Sequence, residues 1–158
     1  MYEVCGALSA SPGTLYVCAT PIGNLEDITA RVARTLREVD VIAAEDTRHT
    51  RKLTTHLGIS TKLVSLNKDN ERKRSSSLVE TLLSGGSIAL VSDSGMPGIS
   101  DPGHLLIREC LDNGIEFSVL PGPSAVVAAL VASGLPTDAF SFFGFLPRKK
   151  GERRKLLD

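Results

Sequence analysis

Tryptophan is absent from this chain of 158 residues, aromatic residues make up only 4% of it, and its cysteines are too few and too scattered to staple a fold. Cys5, Cys18 and Cys110 are odd in number and form no C-x-x-C pair, which argues against a disulfide framework or a zinc knuckle and leaves reduced thiols as the expectation. His49, His56 and His104 lack metal-ligand spacing, so no metal is expected either. An excess of either charge is missing too, 18 Lys+Arg standing against 18 Asp+Glu. That balance excludes a polycation coating nucleic acid with its whole surface, while leaving room for a local basic patch. There is no long apolar run. The most apolar stretch, residues 125–135, is broken by Ser133 and Gly134 and is shorter than the ~18 residues a membrane-spanning helix needs. Glu3 stands where a secretory leader carries Lys or Arg. A cytoplasmic protein without membrane attachment is the expectation.

What is present is the material of an ordinary globular domain, 42% hydrophobic and 23% charged. A chain of this length buries roughly 68–70% of its unfolded surface and supports one core without staples. Short β-branched runs at residues 15–19 (LYVCA), 39–44 (VDVIAA), 63–66 (LVSL), 88–92 (IALVS) and 117–120 (FSVL) read as buried strands. Helical spacing lies between them: Ile28, Val32, Leu36 and Val39 after Asp27; Leu78, Leu82 and Leu83 after Asn70; Leu105, Leu106 and Leu111 after Asp101-Pro102. Asp27, Asn70 and Asp101 are expected N-caps, and Pro102 suits a first helical turn. The fold class is therefore α/β, a mainly parallel sheet of about five strands with helices on both faces. Ligands of such sheets bind beyond the carboxyl ends of the strands.

That rule directs attention to the loops. Strand one leads into Thr20-Pro21-Ile22-Gly23-Asn24-Leu25, strand two into Glu45-Asp46-Thr47-Arg48, and strand five into Pro121-Gly122-Pro123-Ser124-Ala125. Strand four leads into residues 93–103, where Gly95, Gly98, Gly103, Pro97 and Pro102 make a tightly turning backbone that a small polar ligand can approach closely. The chain holds no G-x-G-x-x-G and no P-loop, and Gly122-Pro123-Ser124-Ala125-Val126 lacks the last glycine of a nucleophile elbow. Glu45-Asp46 reads as a general base or ribose acceptor, or else as a helix N-cap. Arg48, Arg51 and Lys52 meet phosphate or form a solvated helical face. Residues 125–132 read as close helix packing. Phe140, Phe142, Phe143 and Phe145 alternate like a strand that begins something new, and residues 148–155 (RKKGERRK) read as the start of a basic helix. The expected division is an α/β domain over residues 1–137 and the start of a second over 138–158.

Five blocks carry a resemblance: Pro21-Ile22-Gly23-Asn24-Leu25 with Asp27-Ile28-Thr29, Glu45-Asp46-Thr47-Arg48, residues 93–103, Pro121-Gly122-Pro123-Ser124-Ala125, and Gly144-Phe145-Leu146-Pro147. In order and spacing they resemble the small-subunit rRNA methyltransferase I family, ribose 2′-O-methyltransferases of the tetrapyrrole methylase superfamily. The resemblance implies S-adenosylmethionine as methyl donor, a cytidine 2′-hydroxyl of small-subunit (16S) rRNA as acceptor, no metal, a homodimer, and a donor cleft between an N-terminal sheet domain and a second domain of comparable size. It further implies that Pro21, Ile22 and Gly23 line the cleft, that Asp93, Ser94, Gly95, Pro97, Gly98 and Ile99 hold the methionyl and ribose parts of the donor, and that Ser124 and Ala125 lie against it. Loop position nominates Asp46 first as the base, then Glu45 and Asp93. Arg48, Arg148, Lys149 and Lys150 are the expected phosphate contacts. Ser94 and Met96 replace the Ala and Thr usual in that family, and Asn67-Lys68-Asp69 replaces a His-x-His pattern ahead of Asn70-Glu71. Two other readings stay open: a non-catalytic domain that dimerises or binds RNA or a nucleotide, and a methyltransferase for a tetrapyrrole-like small acceptor.

Overall fold

The central β-branched runs become strands because they can bury both of their faces between helices, and the outer two join them at the edges of the sheet. In the computed structural model, which describes residues 13–157, these are β1 (Leu15–Cys18), β2 (Val41–Ala44), β3 (Lys62–Ser65), β4 (Ile88–Val91) and β5 (Phe117–Leu120). Glu3 and Cys5, and the expectations attached to them, lie outside the described residues. The strands pair in parallel in the order β3-β2-β4-β1-β5, with Ile88 of β4 level with Leu15 of β1 and Val41 of β2. All four residues of central β4 are buried, as a strand covered on both faces requires.

The connections are α1 (Ala30–Glu38), α2 (Thr47–His56), α3 (Glu71–Leu83) and α4 (His104–Asp112). Val32 and Leu36 of α1 and Leu53 of α2 pack with Cys18, Ile42, Ala44, Ala89 and Val91 on one face of the sheet. Leu78, Val79 and Leu82 of α3 and Leu106 and Cys110 of α4 pack with Leu15, Val17, Ala43, Ile88 and Leu90 on the other. Alternate strand residues serve the two cores, the period-two geometry of a strand. Chain leaving β1 and β2 thus winds to one face, and chain leaving β3 and β4 to the other. The direction of winding reverses beside β4, where a crevice opens at the carboxyl edge.

The helix caps differ in part from expectation. Thr29, not Asp27, caps α1 by accepting from the Val32 amide; Asp27 closes the short 3-10 helix Leu25–Asp27 instead. Asn70 does precede α3, but its side chain is spent on the turn before it, accepting from the Asn67 amide and donating to Ser65. Neither Asp101 nor Pro102 opens α4, whose N-cap is Gly103. The cap comes from another helix: Glu71 of α3 accepts from the amides of Gly103 at 2.7 Å and Leu105 at 3.1 Å. A carboxylate reaching across from α3 satisfies donors that a local side chain would otherwise cap.

The chain falls into two compact units, one ending at Ser124 and one beginning at Ala125. The second contains α5 (Ala125–Ala132) and α6 (Lys150–Leu157), the latter being the basic helix expected past residue 148. No strand forms over residues 140–145. Alternation alone provides no hydrogen-bonding neighbour, and Gly144 at φ +64° interrupts any extended backbone there. No helix among the described residues is long and apolar enough to cross a membrane.

Candidate functional site

At the carboxyl edge the loop after β4 is fastened to the loop after β1. Thr20 and Gly95 exchange backbone hydrogen bonds of 2.9 and 3.1 Å, and the Thr20 hydroxyl donates to the Ser92 carbonyl at 3.1 Å. The Ser94 hydroxyl adds a long contact of 3.5 Å to the Pro21 carbonyl. Beside this clasp lies an open cleft of about 480 Å³, within the size range of small-molecule sites. Its walls are Thr20, Pro21, Ile22, Gly23 and Leu25 after β1, Ser92, Asp93 and Ser94 after β4, and His49, Thr50, Lys52 and Leu53 of α2. They are mostly apolar, with Asp93 as the one carboxylate.

A second clasp joins the loops after β2 and β4. The Asp46 amide donates to Asp93 Oδ1 at 3.1 Å, and the Asp93 amide donates to Glu45 Oε2 at 3.4 Å. Glu45, Asp46 and Asp93, nominated separately from the sequence, are therefore neighbours. Their chemistry diverges. Asp46 caps α2: its Oδ1 accepts from the Arg48 amide at 2.8 Å and from Arg48 Nε at 3.2 Å, while Oδ2 meets Arg48 Nη2 at 2.9 Å. These bonds to Arg48 hold its carboxyl down at about 2. Glu45 moves the other way. Partial burial raises its proton affinity, the bond from the Asp93 amide opposes, Asp101 and Asp93 raise it further, and Lys68 opposes. Asp101 is also raised, by burial first and then by Asp93, with Lys68 and a Ser92 hydrogen bond acting against it.

The structure places the nominated residues unevenly. Pro21, Ile22, Gly23, Asp93 and Ser94 line the cleft, and Gly95 supplies its clasp. Pro97, Gly98 and Ile99 follow along the loop toward α4 and do not line it; Ile99 is 53% exposed. Ser124 closes the first unit, whereas Ala125, Arg148, Lys149 and Lys150 belong to the second, in which Lys149 pairs with Glu152 at 3.3 Å. The α2 wall, His49, Thr50, Lys52 and Leu53, was not nominated as a donor site. Its usable signal is positional: the helix after an acid pair at a strand's carboxyl end must run past the crevice. Among the described residues no cluster of His, Cys, Asp and Glu is arranged to hold a metal ion.

Comparison with known proteins bears on what such a cleft does. Residues 14–158 match the family model described as Tetrapyrrole (Corrin/Porphyrin) Methylases. The chain is similar to Ribosomal RNA small subunit methyltransferase I of Halalkalibacterium halodurans, 56% identical over 146 residues that cover 92% of this chain and 50% of that protein. Its likeness to the protein of the same name from Vibrio cholerae is 57% over 145 residues, 91% of this chain and 50% of that one. The chain thus spans about half the length of these curated relatives. Among solved structures it resembles a uroporphyrin-III-C-methyltransferase from Thermus thermophilus, with a TM-score of 0.61, 26% identity, and coverage of 78% of this chain and 53% of that one.

Proposed function

The chain belongs to the tetrapyrrole (corrin/porphyrin) methylase family, and from that premise we propose that it forms the donor-binding part of an S-adenosylmethionine-dependent methyltransferase acting on a cytidine 2′-hydroxyl of 16S rRNA. The observation that carries this reading is the clasped cleft beside β4, in a chain 56% identical to a relative named for small-subunit rRNA methylation. Apolar walls with a single carboxylate suit a ligand that combines a flat base, a ribose and a cationic tail. Pro21, Ile22, Gly23 and Leu25 would pack against the donor; Asp93 and Ser94 would meet its polar parts. Gly95 would hold the two loops at the spacing the donor needs, with Pro97, Gly98 and Ile99 stiffening the loop behind it. Ser124 and Ala125 remain proposed donor contacts.

When bound, the donor supplies an electrophilic methyl group on a sulfonium sulfur. The work left to the protein is positioning the ribose oxygen behind that methyl group and accepting its proton. A ribose 2′-oxygen held there would take the methyl group with release of a neutral thioether, and the protein's part would be a carboxylate placed to accept the hydroxyl proton. Between the nominated bases Glu45 suits this better than Asp46. Asp46 is committed to Arg48 and to the α2 cap, and its low proton affinity makes it a weak acceptor. Arg48, Arg148, Lys149 and Lys150 are proposed contacts for rRNA phosphates. The reading includes a homodimer and a cytoplasmic location, where free Cys18 and Cys110 stay reduced.

Calorimetric titration of the complete gene product with S-adenosylmethionine, followed by methyl incorporation into small ribosomal subunits, tests the proposal. Binding and incorporation at a cytidine ribose are expected; donor binding without incorporation into rRNA overturns the acceptor, and no binding overturns the whole. The likeness to a uroporphyrin-III-C-methyltransferase favours a tetrapyrrole acceptor as the second reading, and mass analysis of the methylated product separates the two. Size-exclusion chromatography with light scattering decides the homodimer.

A further inference from the structure

Outside the cleft the outstanding surface is the outward face of α3. Ser75, Leu78, Val79 and Leu82 bury one stripe of this helix. Asn70, Lys73, Arg74 and Ser77 repeat the same spacing on the other side and line an open groove of about 450 Å³. Arg72, Lys73 and Arg74 are all exposed, and none of the three appears in an ion pair among the described residues. Their position is electrostatically adverse. Three consecutive cations in a first helical turn repel one another and oppose the helix macrodipole, which favours acids there. Glu71, the acid of that turn, directs its carboxylate away to the amides of Gly103 and Leu105. A counter-charge arriving from outside relieves both repulsions.

The location selects the partner. β3 feeds α3 from its carboxyl end, so the cations sit on the same edge of the sheet as the cleft, one strand out from the acid corner after β2. Lys68, in the turn between β3 and α3, is near enough to Glu45 and Asp101 to favour their charged forms. Beyond Lys68, α3 carries Lys73 and Arg74 on the groove, with Arg72 in the same exposed first turn. The groove's lining residues, Asn70, Lys73, Arg74 and Ser77, include two cations and no large hydrophobic side chain, which fits a phosphodiester strand and lacks the aromatic and aliphatic anchors of a lipid-surface site. We propose that Arg72, Lys73 and Arg74, with Lys68 at the inner end, form a track that binds phosphates of the substrate RNA strand flanking the acceptor ribose. The inference rests on the rRNA reading above and extends it to residues that reading does not use.

The test is the salt dependence of binding. The complete gene product, the triple variant Arg72→Gln, Lys73→Gln, Arg74→Gln, the single variant Arg74→Gln and a control Lys62→Gln at the opposite edge of the sheet are titrated with a small-subunit rRNA fragment across a range of KCl. Each lost phosphate contact to single-stranded RNA lowers the slope of log K against log salt by about 0.7. The triple variant is expected to lose about 2 from the slope and at least tenfold in affinity at low salt, with S-adenosylmethionine affinity unchanged. Arg74→Gln, which keeps a readout should the triple variant fold poorly, should lose about 0.7, and Lys62→Gln should lose nothing. An unchanged slope in Arg74→Gln, or an equal loss in Lys62→Gln, overturns the track. So does a loss seen only on anionic lipid vesicles, which would make the face a membrane contact. Failure of the rRNA reading looks different: the track variants still separate on RNA, while the unaltered protein transfers no methyl group to it.

Discussion

The two edges of the sheet treat their carboxylates in opposite ways. At the amino edge Asp40, just before β2, accepts from the Ser87 amide and hydroxyl, both at 2.7 Å, and ties the start of β2 to the start of β4. Those bonds lower its proton affinity. At the carboxyl edge Glu45 and Asp101 lie partly buried near Asp93, and theirs is raised. The same residue type serves as a fastener at one end and as an unfulfilled charge at the other. Fully bonded carboxylates favour the charged form; crowded, partly buried ones keep their protons to higher pH than free carboxyls do.

The sharpest way to break this contrast is Glu45→Gln in the complete gene product. The amide keeps the shape and can still accept from the Asp93 amide, yet it cannot take a proton. Methyl transfer should fall about 100-fold or more, with donor affinity within about threefold, whereas Asp46→Asn should cost less than about tenfold. Single-turnover incorporation checks both, and equal losses would erase the distinction drawn here. Next in size is Gly103→Ala, at the end of the β4 loop. A Cβ there would lie 2.8 Å from Leu90 Cδ2 on a backbone at φ +123°, so a loss of about 2 kcal/mol in urea unfolding is expected. Asp40→Ala at the amino edge should lose less, about 0.5–1 kcal/mol, because solvent screens an exposed carboxylate.

The smallest effect is a difference of sign with pH. Asp40's lowered value means that its stabilisation is complete above the ordinary aspartate value of about 3.9 and is lost as the pH falls through its folded value. Glu45 works in reverse. Between the ordinary glutamate value of about 4.3 and its own raised one, the folded state keeps a proton that the unfolded state has released, so rising pH costs stability. Urea midpoints from pH 3 to 7 should therefore show a smaller acid-side fall in Asp40→Asn, Asp46 supplying the rest, and a smaller fall above about pH 4.3 in Glu45→Gln, Asp101 supplying the rest.

Much of this was legible in the chain, for identifiable reasons. Four of the strands lie within one residue of the expected runs, and β2 starts two residues later than its run, because an apolar run marks a segment that the helices can cover. The loops were legible because glycine and proline mark backbone that turns sharply. Helix α2 was harder. Of its residues Thr50, Leu53 and Thr54 are buried, and two threonines in place of aliphatic residues blur the helical period, so Lys52 was read only as a phosphate contact or solvated residue and His49 was not placed on the cleft wall. The Phe140 to Phe145 alternation misled in the other direction, since periodicity describes a face and not a partner.

Local chemistry determined that residues 15–18, 41–44, 62–65, 88–91 and 117–120 would be extended and covered, that tight loops would follow β1, β4 and β5, and that acids would follow β2. Only the tertiary structure decided which loops meet. The order β3-β2-β4-β1-β5 sets β4 between β1 and β2, so residues far apart in the chain exchange hydrogen bonds across Thr20 and Gly95, and across Glu45, Asp46 and Asp93. Strand order has no local signature, because it arises from which helix faces and strand faces bury the most surface together. The same global packing turned Glu71 away to cap α4, and left Arg72, Lys73 and Arg74 of α3 outside any ion pair among the described residues.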